Sequence, residues 1–206
     1  MLHTPKIGIA LAANLSDVAQ FLSWAEIKKE FDESLGYVRQ DIRWLREHNS
    51  GLNYTVALLI GCGCELLAAA SGDRRRRGEA VFAELLPAGD WRLLGDKLYT
   101  ALRDGLAHGF DTKHLHVDNQ STQIYISWRH PEVIEIQRFD GGLGLLVGVQ
   151  PLAAALCAKI DGFEQVLQQD EVARKLFRQA CEYQRLAPLN QNEAEAWRRL
   201  AAAVRG

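Results

Sequence analysis

Cysteine is scarce in this chain and follows no pattern. The four present, Cys62, Cys64, Cys157 and Cys181, form no C-x2-C pair and no disulfide-framework spacing. Three of them sit in apolar helical stretches, where cysteine behaves as a small hydrophobe. A reducing, cytoplasmic setting is the expectation. A surplus of either charge is also missing: 24 basic against 26 acidic residues leave a net −2. The whole molecule therefore exerts no pull on a polyanion, and any such partner must be met by local patches. The stretch from Leu143 to Ala158 is interrupted by Gln150 and Pro151 and falls short of the ~20 residues of a spanning helix. It reads as a buried strand followed by a helix, with no membrane partner. Near the start, Ile7 to Ala13 follows a single lysine, too short a run and too thin a basic start for the expectation of secretion. No internal repeat or low-complexity tract is visible. What remains is 206 residues, 48% apolar and 24% charged, enough for one soluble domain with a real core.

The coarse pattern is helical. Ser16-Asp17 predicts a helix start, with apolar residues at helical spacing through Val18, Phe21, Leu22, Ala25, Ile42 and Leu45 and a break or kink at Gly36. The segment Leu52 to Ala70 is apolar nearly all round and so belongs in the core. A loop around Arg74 to Arg77 leads to a short helix, about Glu79 to Leu86, stopped by Pro87-Ala88-Gly89. Asp90 then caps a helix from about Trp91 to His108. Beyond Gly109, Gln123 to Trp128, Glu132 to Phe139 and Leu145 to Val149 read as strands, with Asp140-Gly141-Gly142 as a turn. Pro151 opens a helix to about Gln168; two more follow, near Glu171 to Leu186 and Asn192 to Val204. The expected fold is mainly α: one domain over 1–206, with a small antiparallel β-meander at about 122–149 inserted after the Trp91 to His108 helix, and C-terminal helices at about 151–205.

Several features carry possible chemistry. Glu65 is the only charged residue from Gly51 through Ser71. A carboxylate in an apolar helix must be paired, protonated or near water, and pairing with Arg103 or Lys97 would orient the helix that bears them. Arg74, Arg75, Arg76 and Arg77 form a short basic run that suits either a phosphate backbone or plain solvation. His114, His116 and Asp118 alternate on one face if extended, but three donors without a fourth leave the expectation of no metal. Gly61 and Gly63 make no dinucleotide fingerprint and read as close helix packing. Trp91, Tyr125 and Trp128 read as core or sheet packing rather than base stacking.

An arginine followed five residues later by a histidine occurs at two places, Arg43 to His48 and Arg103 to His108. Trp44 is bulky and His48 sits in a polar exit, so the first pair reads as a solvated helix end. The second stands in Leu102-Arg103-Asp104-Gly105-Leu106-Ala107-His108-Gly109, with small residues around it and a glycine suited to ending the helix. This stretch, with the earlier Cys64-Glu65-Leu66-Leu67, resembles the HEPN family of helical domains, whose motif is an arginine, a polar residue and a histidine four to six residues after the arginine. The resemblance covers roughly Leu52 to Gly109 and implies a HEPN-like helical bundle. It further implies a toxin or defence protein whose homodimer cleaves RNA without metal or cofactor, and a cognate antitoxin or nucleotidyltransferase as partner. Arg103 and His108 would then be catalytic, with Asp104 holding the arginine or contacting the partner chain. Some members carry a tyrosine two residues after the histidine, modified by the nucleotidyltransferase; Phe110 stands there in this chain.

Five residues along a helix span about 7.5 Å and leave the two side chains about 140° apart. His108 then falls beside a Leu94, Leu98, Ala101 stripe while Arg103 points away, so one helix alone makes a poor site. A two-fold pairing of helices, eased by the missing side chain of Gly105, would let both groups converge. A helix C-terminus favours protonated histidine, which suits a general acid and a structural cap equally. The alternative function is a non-catalytic dimeric module that binds RNA, a nucleotide or a partner protein.

Overall fold

The computed structural model describes residues 22–48, 53–72, 77–109, 115–117, 120–139, 142–185 and 191–205. The first helix, α1 (Trp24–Phe31), starts where Ser23 is extended and exchanges hydrogen bonds with Glu26. The Ser23 amide donates to the Glu26 carboxylate at 2.9 Å, and Ser23 Oγ accepts the Glu26 N–H at 3.4 Å. This reciprocal pair satisfies donors that the first turn leaves free. This helix therefore begins after Ser23; the expected start at Ser16-Asp17 lies outside the described residues. The expected interruption at Gly36 takes the form of a π turn, Asp32–Gly36, which leads into α2 (Tyr37–His48). Two local causes are visible. The Ser34 hydroxyl donates to the Glu30 carbonyl at 2.7 Å, a bond that bends helices. Gly36 also lacks the Cβ that would press on the Phe31 carbonyl at 3.2 Å.

Helix α3 (Asn53–Ala70) occupies the centre, against α2, α4 (Gly78–Leu85), α6 (Gly95–Gly109), α7 (Val149–Gln169) and α8 (Glu171–Arg185). Its buried Val56, Ile60, Cys64 and Leu67 match the expectation of a core helix. It is long and apolar enough to cross a membrane by length and composition, with half of that stretch buried inside the chain. Asp90 does not cap the helix carrying Arg103. It opens a single turn, α5 (Asp90–Leu93), after Gly89 at φ +90°, and the chain breaks at Leu94 before α6 begins. The reason is tertiary: Gly95 lies so close to Ala83 of α4 that any side chain there would collide with it.

The sheet has four strands, β1 (Leu115–Val117), β2 (Gln120–Ser127), β3 (Ile134–Phe139) and β4 (Gly142–Gly148), in the order β1-β2-β4-β3. It is not the expected meander. β4 lies between β2 and β3, parallel to the first, with Tyr125 opposite Leu146, and antiparallel to the second, with Ile136 opposite Leu145. β4 is a nearly continuous apolar run, and such a strand gains most where it has neighbours on both sides. β1 adds a short antiparallel strand on the β2 edge. Pro151 sits in the first turn of α7, as expected, and α8 and α9 (Gln191–Arg205) complete a mainly α fold.

Candidate functional site

Helix α6 buries Leu98, Ala101, Leu102 and Leu106 in the core, and Gly105 is buried with them. Two expectations change here. Leu94 is not part of this stripe, being 41% exposed at the break before the helix. Gly105 faces the chain's own interior, so it offers no close approach to a second copy. Arg103 and Asp104 lie at the edge of the buried face, half-buried, with the Arg103 guanidinium donating to Asp104 Oδ1 at 2.9 Å. Asp104 thus holds the arginine, as the resemblance implies. The stem of Arg103 runs over α3 at Gly61, where an added Cβ would come within 3.1 Å of Arg103 Cγ. Gly63 packs in the same way, against Leu156 and Val38. Both glycines serve close helix packing, as the sequence suggests.

One turn before Arg103 stands Tyr99, buried, with its hydroxyl donating to Glu65 Oε1 of α3 at 2.7 Å. Glu65 thus does meet the helix that bears the motif, but through Tyr99, where the sequence suggests Arg103 or Lys97. Steric fit explains the choice: Gly61, not Glu65, lies opposite Arg103. The start of α4 packs against this pair, of which Tyr99 is buried and Glu65 exposed, since a Cβ at Gly78 would fall 2.7 Å from Glu65 Cδ and 2.9 Å from the Tyr99 hydroxyl. Arg77, exposed and extended, immediately precedes Gly78, so the basic run ends beside the Glu65–Tyr99 pair. Arg74, Arg75 and Arg76 lie outside the described residues.

The electrostatics follow from these contacts. The bond to Asp104 pushes the Arg103 guanidinium up, against a smaller opposing effect of burial, with Tyr99 and Glu65 adding in the same direction. Arg103 is a permanent cation. Burial pushes the Tyr99 hydroxyl up, and the bond to Glu65 adds to it. Tyr99 is therefore a donor throughout the neutral range. His108 belongs to the last turn of α6.

The remaining candidates fall elsewhere. Arg43 of the second arginine–histidine pair bonds Asp161 of α7 at 2.9 Å, while His48 stacks on Trp44 with ring centroids 4.8 Å apart. That pair is a surface helix end with a packing role. His116 is exposed on β1, His114 and Asp118 lie outside the described residues, and among the described residues no three His, Cys, Asp or Glu side chains are placed to hold a metal ion. Trp91 and Trp128 pack on the core, and Tyr125 leans on Phe139 at 4.3 Å. A surface groove of about 580 Å³ beside the π turn is lined by Tyr37, Arg39, Arg43 and Trp44 among others, and includes none of Arg103, Asp104 or Glu65. Tyr99 is the residue of the Arg103 site that the sequence does not single out, and Gly61 is singled out for packing but not as the seat of Arg103. The available signal was their spacing, each one turn from a singled-out residue on its own helix.

Comparison of the chain with protein-family models, curated proteins and solved structures finds no match.

Proposed function

We propose that this chain is a HEPN-like endoribonuclease of toxin or defence type, acting in the cytoplasm as a homodimer with a composite Arg103/His108 site. The observation that carries the reading is the seat of Arg103. Its stem rests on Gly61, Asp104 holds its guanidinium, and 39% of its side chain faces solvent, five residues before a histidine in the last turn of the same helix. A fixed cation within reach of a polymer is what phosphate binding requires.

The chemistry follows from the resemblance. One histidine takes the proton of the ribose 2′-hydroxyl, and the 2′-oxygen forms a bond to phosphorus. The bond from phosphorus to the 5′-oxygen breaks, and a protonated histidine supplies the proton that the leaving oxygen needs. Arg103 stabilises the charge that builds on the non-bridging oxygens. The products are a 2′,3′-cyclic phosphate and a 5′-hydroxyl. The wide angle between Arg103 and His108 on one helix favours a site shared by two copies, His108 of one chain beside Arg103 of the other, with the histidine that took the proton giving it to the leaving oxygen. A cognate antitoxin or nucleotidyltransferase would be its natural regulator.

The ion pair between Arg103 and Asp104 favours a second reading, in which the arginine is structural and the dimer binds RNA, a nucleotide or a partner protein without cleaving anything. One experiment separates them. The purified protein should cut single-stranded RNA into fragments with 2′,3′-cyclic phosphate ends, and Arg103→Ala and His108→Ala should each abolish the cut. Intact RNA in all three samples would leave the non-catalytic reading standing.

A further inference from the structure

Tyr99 and Arg103 are one turn apart on α6, and Gly61 and Glu65 are one turn apart on α3. Residues at that spacing share a helix face. The contacts join them as two rungs of an antiparallel ladder. In one, the Tyr99 hydroxyl bonds Glu65 at 2.7 Å; in the other, the Arg103 stem lies on Gly61. The first rung also packs against Gly78, where any side chain would strike both partners. The second is tight: a Cβ at residue 61 would oblige the Arg103 stem to give by a few tenths of an ångström. A shift of one residue along α3 would move α6 by about 1.5 Å and turn the contact face by about 100°. The Arg103 stem would then meet Ile60 or Cys62, both of which carry side chains, and the Tyr99 hydroxyl would leave its acceptor.

We infer that Tyr99 is a positioning residue: its bond to Glu65 sets the one register of α6 on α3 that seats Arg103 over Gly61 with its guanidinium turned outward beside Asp104. The functional consequence rests on the reading of Arg103 as the phosphate-binding group. Tyr99 touches no substrate, and its effect passes entirely through the arginine.

The test uses the full-length protein and two readouts. The first is the side-chain Nε–Hε signal of Arg103 in a ¹⁵N NMR spectrum, which reports the seat of the arginine whether or not RNA is cut. The second is the kcat and KM for cleavage of a single-stranded oligoribonucleotide. Tyr99→Phe keeps the buried ring and removes the bond; Glu65→Ala removes the near acceptor and leaves the hydroxyl only the Gly61 carbonyl at 3.5 Å; Glu65→Gln keeps an oxygen that can accept it. Tyr99→Phe and Glu65→Ala are expected to move the Arg103 signal and lower kcat roughly ten- to hundredfold with KM little changed, the scale of a misplacement of about 1 Å. Glu65→Gln should recover both. Gly61→Ala, which pushes the stem directly and leaves the Tyr99–Glu65 bond in place, should move the same signal and covers the case in which a Tyr99 variant fails to fold. An unmoved Arg103 signal in folded Tyr99→Phe and Glu65→Ala proteins overturns the inference, however much their melting temperatures fall. A wild-type protein that cuts no RNA overturns the proposed activity instead, and the spectrum still decides the positioning role.

Discussion

Arg174 of α8 donates through Nε to the carbonyl oxygen of Leu22, 2.6 Å away and at the start of the described chain. The same guanidinium donates to the carbonyls of Leu167 and Gln168 at 2.8 and 3.2 Å, closing the C-terminal end of α7. Arg174 is only 6% exposed, so these oxygens would find no ready substitute if it were removed. Replacing it with methionine should lower stability by about 3 kcal/mol, the scale of a buried charged donor lost from several acceptors. Lysine, with one nitrogen and no fork, should recover less than half. Urea unfolding of the three proteins checks this; a loss well under 1 kcal/mol in the methionine variant would mean that α8 is held by its apolar face alone.

Stability should fall in alkali. Burial pushes the Cys64 thiol and the Tyr99 hydroxyl above their ordinary values of 9.0 and 10.0. Above those values the unfolded chain gives up protons that the folded chain keeps. The unfolded state then binds fewer protons, and folding stability declines as pH rises through 9 and again through 10, by up to about 1.4 kcal/mol per unit for each group. Urea midpoints at pH 8, 9.5 and 11 should therefore drop in steps. Tyr99→Phe should flatten the upper step, and an unchanged slope in that variant would contradict the assignment.

Thiol reactivity should be divided among the cysteines. Cys62 is exposed, whereas Cys64, Cys157 and Cys181 are buried, and burial also pushes the Cys157 thiol up. A thiolate is the reactive form. A maleimide at neutral pH should label the native protein once, at Cys62, and label the other three only after denaturation. Mass spectrometry of the peptides reads the result, and rapid native labelling at Cys64 would show that α3 is not the central helix.

Gly148 marks the turn from β4 into α7, and a Cβ there would run into the Glu132 carbonyl and come within 2.7 Å of the His130 carbonyl. Backbone cannot swing away as a side-chain tip can. Gly148→Ala should cost about 2 kcal/mol or more, measured as a shift in thermal or urea unfolding. A neutral substitution would mean that the 130–132 loop does not pack on this turn.

The parts of the fold that the letters reveal are those fixed by local chemistry. α3 declares itself because it is apolar on every side, and α7 because Pro151 suits only a first turn. Sheet order is different. The run Leu145 to Val149 reads as a strand, but its unbroken apolar character also marks a central one, and the Asp140-Gly141-Gly142 turn points only to its pairing with β3. The break at Leu94 depends on Ala83 of another helix, which no local pattern reports. The site divides in the same way. Arg103, Asp104 and His108 are visible as neighbours in sequence, and Glu65 as a charge out of place. Tyr99 acquires its role only from the register of α6 on α3.

In the proposed enzyme, two copies together make one cleavage site from Arg103 and His108. The most direct test is complementation between two inactive proteins. Arg103→Ala and His108→Ala are purified separately, and also as a co-expressed mixed dimer with a different tag on each chain. Neither variant alone should cleave single-stranded RNA, and the mixed dimer should recover cleavage with 2′,3′-cyclic phosphate ends. Full activity in either single variant, or a mixed dimer as inert as its parents, would contradict the shared site.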